Sequence, residues 1–204
     1  MFCKIDFLII DLPISKMATI IKNTDSELQI VLHNCDHVLA NTLRRIMIAQ
    51  VPTLAIEFVQ FSDNTTVLPE EFIAHRLGLL PIKGELEEAK ILFDKTAGPD
   101  VEEWSSGDLQ LPPGIELVHS DIPLIKANKG QRLAFVAITK KGCGEEHAKW
   151  SPVSTCFFKA HPKGTLLHIE SVGQLSPMKI LKTAFEILDK KLETCIQKAT
   201  IQVI

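Results

Sequence analysis

The sequence has 204 residues, 46% of them hydrophobic and 23% charged, with 10 Gly and 11 Pro, proportions that exclude disordered, collagen-like and coiled-coil chains. With 22 Lys and Arg against 25 Asp and Glu the net charge is -3, unsuited to a protein whose sole task is to neutralise a bare phosphate backbone. The five cysteines, Cys3, Cys35, Cys143, Cys156 and Cys195, are scattered and form no CxxC pair, so neither a disulfide framework nor a four-thiolate zinc site is expected, and a reducing compartment fits.

Apolar residues at 7–10 are bounded by Asp6, Asp11 and Pro13 and make no secretory h-region. No run approaches the ~18 apolar residues of a membrane span. The expectation is an intracellular, soluble chain without membrane contact.

Residues 28–32 read as a half-buried strand by alternation and β-branching. Asp36 is placed to cap a helix over 36–50, in which Leu39, Leu43, Ile46, Met47 and Gln50 share one stripe. Its opposite side carries Val38, Asn41, Arg45, Ile48 and Ala49, with Arg44 at the flank. A helix with a free face would be polar there, so a second, buried contact is expected. Pro52 ends it.

A strand over 55–61, a turn at Asp63 and Asn64, and a short helix over 69–77 follow. The helix has Pro69 at its first position and Glu70 and Glu71 at the favourable end of its dipole, and Gly78 breaks it. Residues 84–108 hold eight acids against Lys90 and Lys95 and read as an exposed connector with little core. Residues 126–163 reverse the sign, with eight basic residues against Glu145 and Glu146, around strands at 132–139 and 154–159. The chain is therefore expected to be electrically two-sided. After a strand over 166–172, Ser176 caps a helix that begins at Pro177. Met178, Leu181, Ala184, Phe185, Leu188, Leu192, Cys195, Ile196 and Ala199 make its apolar stripe.

Candidate chemistry is sparse. His33, Cys35 and His37 alternate like metal ligands, but a helix starting at Asp36 turns one of them away, and no fourth ligand stands at normal spacing. Gly142, Cys143 and Gly144 read as a hairpin turn. There is no GxSxG, and His75, His119 and His147 lie in unrelated contexts. Lys140, Lys141, His147, Lys149 and Trp150 form a basic cluster with one aromatic, open to contact with nucleic acid or an acidic protein.

Taken in order, the runs LANTLRRIMIA at 39–49, NTTVL at 64–68, EFIAHRLGLLPI at 71–82, KKG at 140–142, HAKWSP at 147–152 and ESVG at 170–173 resemble one family. It is that of the α-like third subunit of eukaryotic RNA polymerase II, related to its archaeal counterpart and to the N-terminal domain of bacterial α. The resemblance begins at Met17; residues 1–16 are an N-terminal extension without counterpart and of unknown role.

The resemblance implies an α+β fold. An antiparallel sheet with two packed helices forms a discontinuous dimerisation domain over 17–51 and 165–204, interrupted by a mainly β insert domain over 52–164. It implies a nuclear, non-catalytic assembly scaffold with no cofactor and no sequence-specific DNA binding. The implied partners are a smaller α-like subunit in a heterodimer, the second-largest and largest polymerase subunits, and other small polymerase subunits. The partner-binding residues it implies are Val38, Asn41, Leu43, Arg44, Arg45, Ile48, Phe185, Leu188 and Leu192. Arg44 and Arg45 match the family's LRR motif, where the α-like pair meets the second-largest subunit. A second contact surface is implied at His75, Arg76, Lys149 and Trp150.

Two departures stand out. Many members hold zinc on a cysteine cluster in the insert, whereas residues 83–108 contain no cysteine, so no zinc is expected. The loop between the WSP and ESVG strands is also short. The runner-up in the family is the paralogue shared by RNA polymerases I and III, although NTTVL and the residues Phe72, Ile73 and Ala74 are closer to the polymerase II form. A free nucleic-acid binding module and a small metal-dependent enzyme are the alternatives from other classes.

Overall fold

The computed structural model describes residues 18–86 and 88–200; the N-terminal extension lies outside them. The fold is α+β and its strand pairings are antiparallel. Strands β1 (Ala18–Asn23) and β2 (Glu27–Leu32) form a hairpin. Asn34, at φ 53, turns the chain into α1 (His37–Ala49), whose first turn is closed by Asp36 accepting from the Leu39 amide at 2.8 Å. Then come β3 (Thr53–Asn64), α2 (Glu70–Gly78), β4 (Ile82–Gly84), β5 (Lys90–Thr96), β6 (Glu102–Ser105), β7 (Ile115–Leu117) and β8 (Pro123–Ala127). The chain closes with β9 (Arg132–Gly142), β10 (Val153–His161), β11 (Gly164–Ser171) and α3 (Pro177–Thr200).

Two hydrophobic cores result. A four-stranded sheet in the order β1-β2-β11-β10 packs Leu28, Ile30, Leu167 and Ile169 against Leu43, Ile46 and Met47 of α1 and Ile180, Leu181 and Ala184 of α3. A five-stranded sheet, β5-β9-β3-β4-β7, packs one face against α2 and the β6-β8 ribbon through Ile56, Ile73, Leu77, Phe93, Trp104 and Phe135. The first core is built from both ends of the chain and the second from its middle.

The units are joined by specific bonds: Gln174 Nε2 donates to the Leu54 carbonyl (3.3 Å) and the Glu145 amide to the Ala49 carbonyl (2.8 Å). Beside them, within the insert, Thr53 Oγ1 donates to the Trp150 carbonyl (2.7 Å).

Several expectations are corrected. Strand β10, expected in the insert, pairs with β11 in the four-stranded sheet, where Cys156 faces Ile169 and Phe158 faces Leu167. The sheet-and-helix unit therefore resumes at Val153 instead of at 165. The β10-β11 turn closes on Gly164, at φ 141, where a Cβ would lie 2.1 Å from the Leu32 carbonyl oxygen, so a side chain is excluded there.

Residues 84–108 are no exposed connector: β5 runs beside β9, and Ile91, Phe93 and Trp104 are buried. The charges there alternate with core residues, and a composition average conceals a period of two. Strand pairing sets the acidic and basic segments side by side instead of on two sides, with Arg132 3.0 Å from Asp94 across β9 and β5 and Lys126 3.3 Å from Glu103 across β8 and β6. Asp63 and Asn64 continue β3 instead of turning, and Gly78 is the last residue of α2. Leu39, expected in the buried stripe of α1, is 38% exposed, since it sits in the first turn beyond the reach of the core.

Candidate functional site

The helix layer over the four-stranded sheet carries most of the residues expected to bind a partner. On α1, Val38 is 59% exposed and Asn41 and Arg45 are exposed. Asn41 Oδ1 accepts from Arg44 Nε (3.2 Å) and Nη2 (3.1 Å), so this pair one turn apart fixes the half-buried Arg44 guanidinium along the helix. Arg45 makes no hydrogen bond or ion pair among the described residues, leaving its five donors for another molecule.

Leu43 is a correction: it is fully buried in the chain's own core and has no surface to offer. Ile48 is half-buried against the same core. It supports α1 from within, and Val38 and Leu39 supply the exposed apolar contact.

On α3 the stripe outruns the core. Ala184 is fully buried, Phe185 and Leu188 are half-buried, and every residue from Asp189 to Ala199 is exposed, with Leu192 at 54% and Ile196 at 60%. Lys191 Nζ donates to Gln50 Oε1 at 2.5 Å, which ties this overhanging half to the end of α1. A half-helix whose apolar side is exposed is marginal in water, because tertiary contact on that face supplies most helical stability. An apolar stripe held out in this way marks a contact surface.

The second expected surface resolves differently. Trp150 is only 3% exposed, its Nε1 donates to the Lys140 carbonyl (3.0 Å), and Gly142 lies so close that a Cβ there would sit 2.6 Å from the ring. It is a buried anchor and no surface contact. Lys149 stands 4.3 Å above that ring, donates to the Ile56 carbonyl (3.0 Å) and pairs with Glu57, an arrangement in which cation–π and ionic contacts immobilise the ammonium. Arg76 is held by the Pro123 carbonyl. Of this set His75 and Arg76 remain exposed, His75 in a shallow groove shared with Leu79, His147 and Lys149. Lys149 and Trp150 thus pin the segment before β10 to β3 and β9 of the insert.

The turn at Gly142, Cys143 and Gly144 joins no hairpin, since β9 pairs with β3 and β5. It caps α1 instead: a Cβ on Gly144 would lie 2.2 Å from the Ile48 carbonyl oxygen.

Among the described residues, the three half-buried thiols are not activated as nucleophiles. Burial pushes the Cys156 thiol up to about 11, against the nearby Arg44. Burial, then the Glu146 charge, raises that of Cys143, and burial, then Asp36, raises that of Cys35. Thiols so shifted are poor nucleophiles near neutrality.

His33 is occupied by Thr19 Oγ1 and the Lys163 carbonyl, each at 2.9 Å. Among the described residues no three His, Cys, Asp or Glu side chains converge as metal ligands, and no helix is long and apolar enough to cross a membrane. A cysteine zinc cluster does not fit residues 83–108 of the insert, which contain no cysteine and include a strand built on Ile91 and Phe93.

One polar network is invisible in the sequence. His168 is 8% exposed, stacks on Phe157 with centroids 4.6 Å apart, and lies 3.3 Å from Glu170 and 3.6 Å from Glu27. The strand register that brings these residues together is the missing signal.

Comparison with known proteins agrees with this geometry. Residues 29–192 match the RNA polymerase Rpb3/Rpb11 dimerisation domain. DNA-directed RNA polymerase subunit Rpo3 of Methanocaldococcus jannaschii is 37% identical over 161 residues, covering 78% of this chain and 83% of the relative. DNA-directed RNA polymerase II subunit RPB3 of Schizosaccharomyces pombe is 33% identical over 184 residues, covering 74% of this chain and 62% of the relative. The RNA polymerase II subunit rpb3 of Dictyostelium discoideum is 35% identical, over 65% of this chain and 53% of the relative. The chain belongs to the RNA polymerase Rpb3/Rpb11 dimerisation domain family, the α-like polymerase subunits that its sequence runs resemble.

Proposed function

We propose that this chain is the larger α-like subunit of nuclear RNA polymerase II, a non-catalytic scaffold on which the enzyme assembles. Its dimerisation unit comprises residues 18–51 and 153–200 and pairs with a smaller α-like subunit through the exposed stripe of α3 and the outer side of α1. Arg44 and Arg45 then contact the second-largest subunit, and the largest joins the assembly so formed. The observation that carries this reading is the α3 stripe, which leaves its own core at Leu188 and continues exposed through Leu192 and Ile196 in a chain matched to a dimerisation family. Relatives named as RNA polymerase II subunits in three eukaryotes support the polymerase II form and with it a nuclear location.

The test is purification through a tag on the chain in its own cells, with the co-purifying subunits identified. The two large subunits of RNA polymerase II together with one small α-like protein are expected. Large subunits of polymerases I and III would assign the chain to the paralogue, and absence of any polymerase subunit would remove the reading.

A further inference from the structure

Among the described residues the five-stranded sheet is covered on one face only. Ile91, Phe93, Phe135 and Ala137 point into the insert core. Residues between them emerge on the other side in register: Lys90, Ile138 and Phe58 in one row, Leu92, Val136 and Gln60 in the next, Asp94, Ala134 and Asp63 in the third. Phe58 is 64% exposed and Leu92 46%, with Val136 and Ile138 half-buried beside them. The open face of an antiparallel sheet is ordinarily polar. Four large apolar side chains adjoining across three strands are the pattern of a contact surface.

Charge on this face is unequal. In the third row Arg132 lies 3.0 Å from Asp94 and 3.7 Å from Asp63, so that end is internally paired. In the first row Lys90 makes no ion pair among the described residues. Beside it, a groove of about 500 Å³ is lined by Phe58 and Ile138, with Lys140, Lys141 and Glu88 at its sides. Lys140 is 3.6 Å from Glu146, and Lys141 is spent on the Glu85 carbonyl. The apolar centre is thus flanked at one end by Lys90 and Lys141, whose ammoniums make no ion pair among the described residues, and at the other by Arg132 set between Asp94 and Asp63.

We propose that this uncovered sheet face is a second docking surface, for a protein segment that lays apolar side chains over Phe58, Ile138 and Leu92 and sets a carboxylate against Lys90. A nucleic acid fits it poorly: Phe58 is the one aromatic available for stacking, and phosphate binding calls for several free cations together. The surface lies apart from α1 and α3 and does not depend on the pairing proposed for them.

The test is zero-length carbodiimide coupling of amines to carboxylates in the complex purified through a tag on the full chain, with linked peptides identified by mass spectrometry. A link from Lys90 to an Asp or Glu in an apolar segment of another protein is expected. Truncating a central contact commonly dominates an interface, so Phe58→Asp should lower retention of that protein by at least about tenfold. Lys90→Glu should do the same, while Lys90→Arg retains it. Both positions are exposed, and an unchanged melting temperature verifies the fold; if Phe58→Asp aggregates, the two Lys90 variants decide. Absence of any such link, a link only between two copies of this chain, or retention indifferent to Lys90→Glu overturns the proposal.

Discussion

Arg44 and Arg45 are neighbours with different tasks. Arg44 is held by Asn41 and stands near the Cys156 thiol, whereas Arg45 is exposed and uncommitted. Arg45→Ala is therefore expected to leave the α-like heterodimer intact while weakening retention of the second-largest subunit. Arg45→Lys should restore it only in part, because an ammonium cannot reproduce a bidentate fork. Subunit ratios after a salt wash of the tagged complex report both results. Cysteines give a second prediction at this scale. With its pKa pushed up to about 11, the Cys156 thiol is roughly one part in a thousand thiolate at pH 8, and the exposed Cys195 should alkylate far faster. Mass spectrometry of the isolated chain is expected to show that order, and binding of the small partner to slow labelling at Cys195 selectively. The exposure of Val38 and the commitment of Asp36 to the cap are legible from residue type and spacing. Leu43 is core by its place in the apolar stripe, against the partner role the resemblance implies for it. That Trp150 is an anchor is not legible, because it is decided by the Lys140 carbonyl and Gly142.

The elements are unevenly legible, for a physical reason. Helices α1 and α3 declare themselves through a period of 3.6 and their caps, but where a stripe stops being core depends on the size of what it packs against. At about 1.5 Å per residue the 24 residues of α3 extend about 36 Å. Strands of six to nine residues reach only about 20–30 Å, so the helix overhangs. Leu181→Ala, within the core, is expected to cost about 2–5 kcal/mol in denaturant unfolding of the isolated chain. Leu192→Asp, on the overhang, should leave that stability within about 0.5 kcal/mol yet abolish co-purification of the small α-like partner, by placing an unpaired charge in an apolar contact. Loss of fold in Leu192→Asp would show that the overhang packs on this chain itself. Strand β5 is hidden for the opposite reason. Its Lys90, Asp94 and Lys95 dominate composition, while the core-facing positions that define it need a partner strand, β9, to become visible.

At the scale of the molecule, two cores meet at a joint made by Gln174 on Leu54 and by the Gly142 to Glu145 turn on the end of α1, with Thr53 and Trp150 bracing the insert beside it. The polymerase runs in the sequence map onto α1, onto α2 with the start of β4, and onto the ends of β3, β9 and β11 and the segment before β10, so family resemblance carries the architecture further than periodicity alone. The assignment of β10 to the four-stranded sheet is reached only through its register with β11. The joint fixes how the helix layer is presented relative to the insert, which is what a scaffold touching several subunits requires. The central claim, that the overhanging helix layer is the seat of a second, different α-like chain, is tested most directly by native mass spectrometry of this chain expressed alone and with the small α-like subunit of its own organism. The account predicts a one-to-one heterodimer on co-expression that disappears with Leu192→Asp. A homodimer of this chain in place of the heterodimer, or a heterodimer indifferent to that substitution, would contradict it.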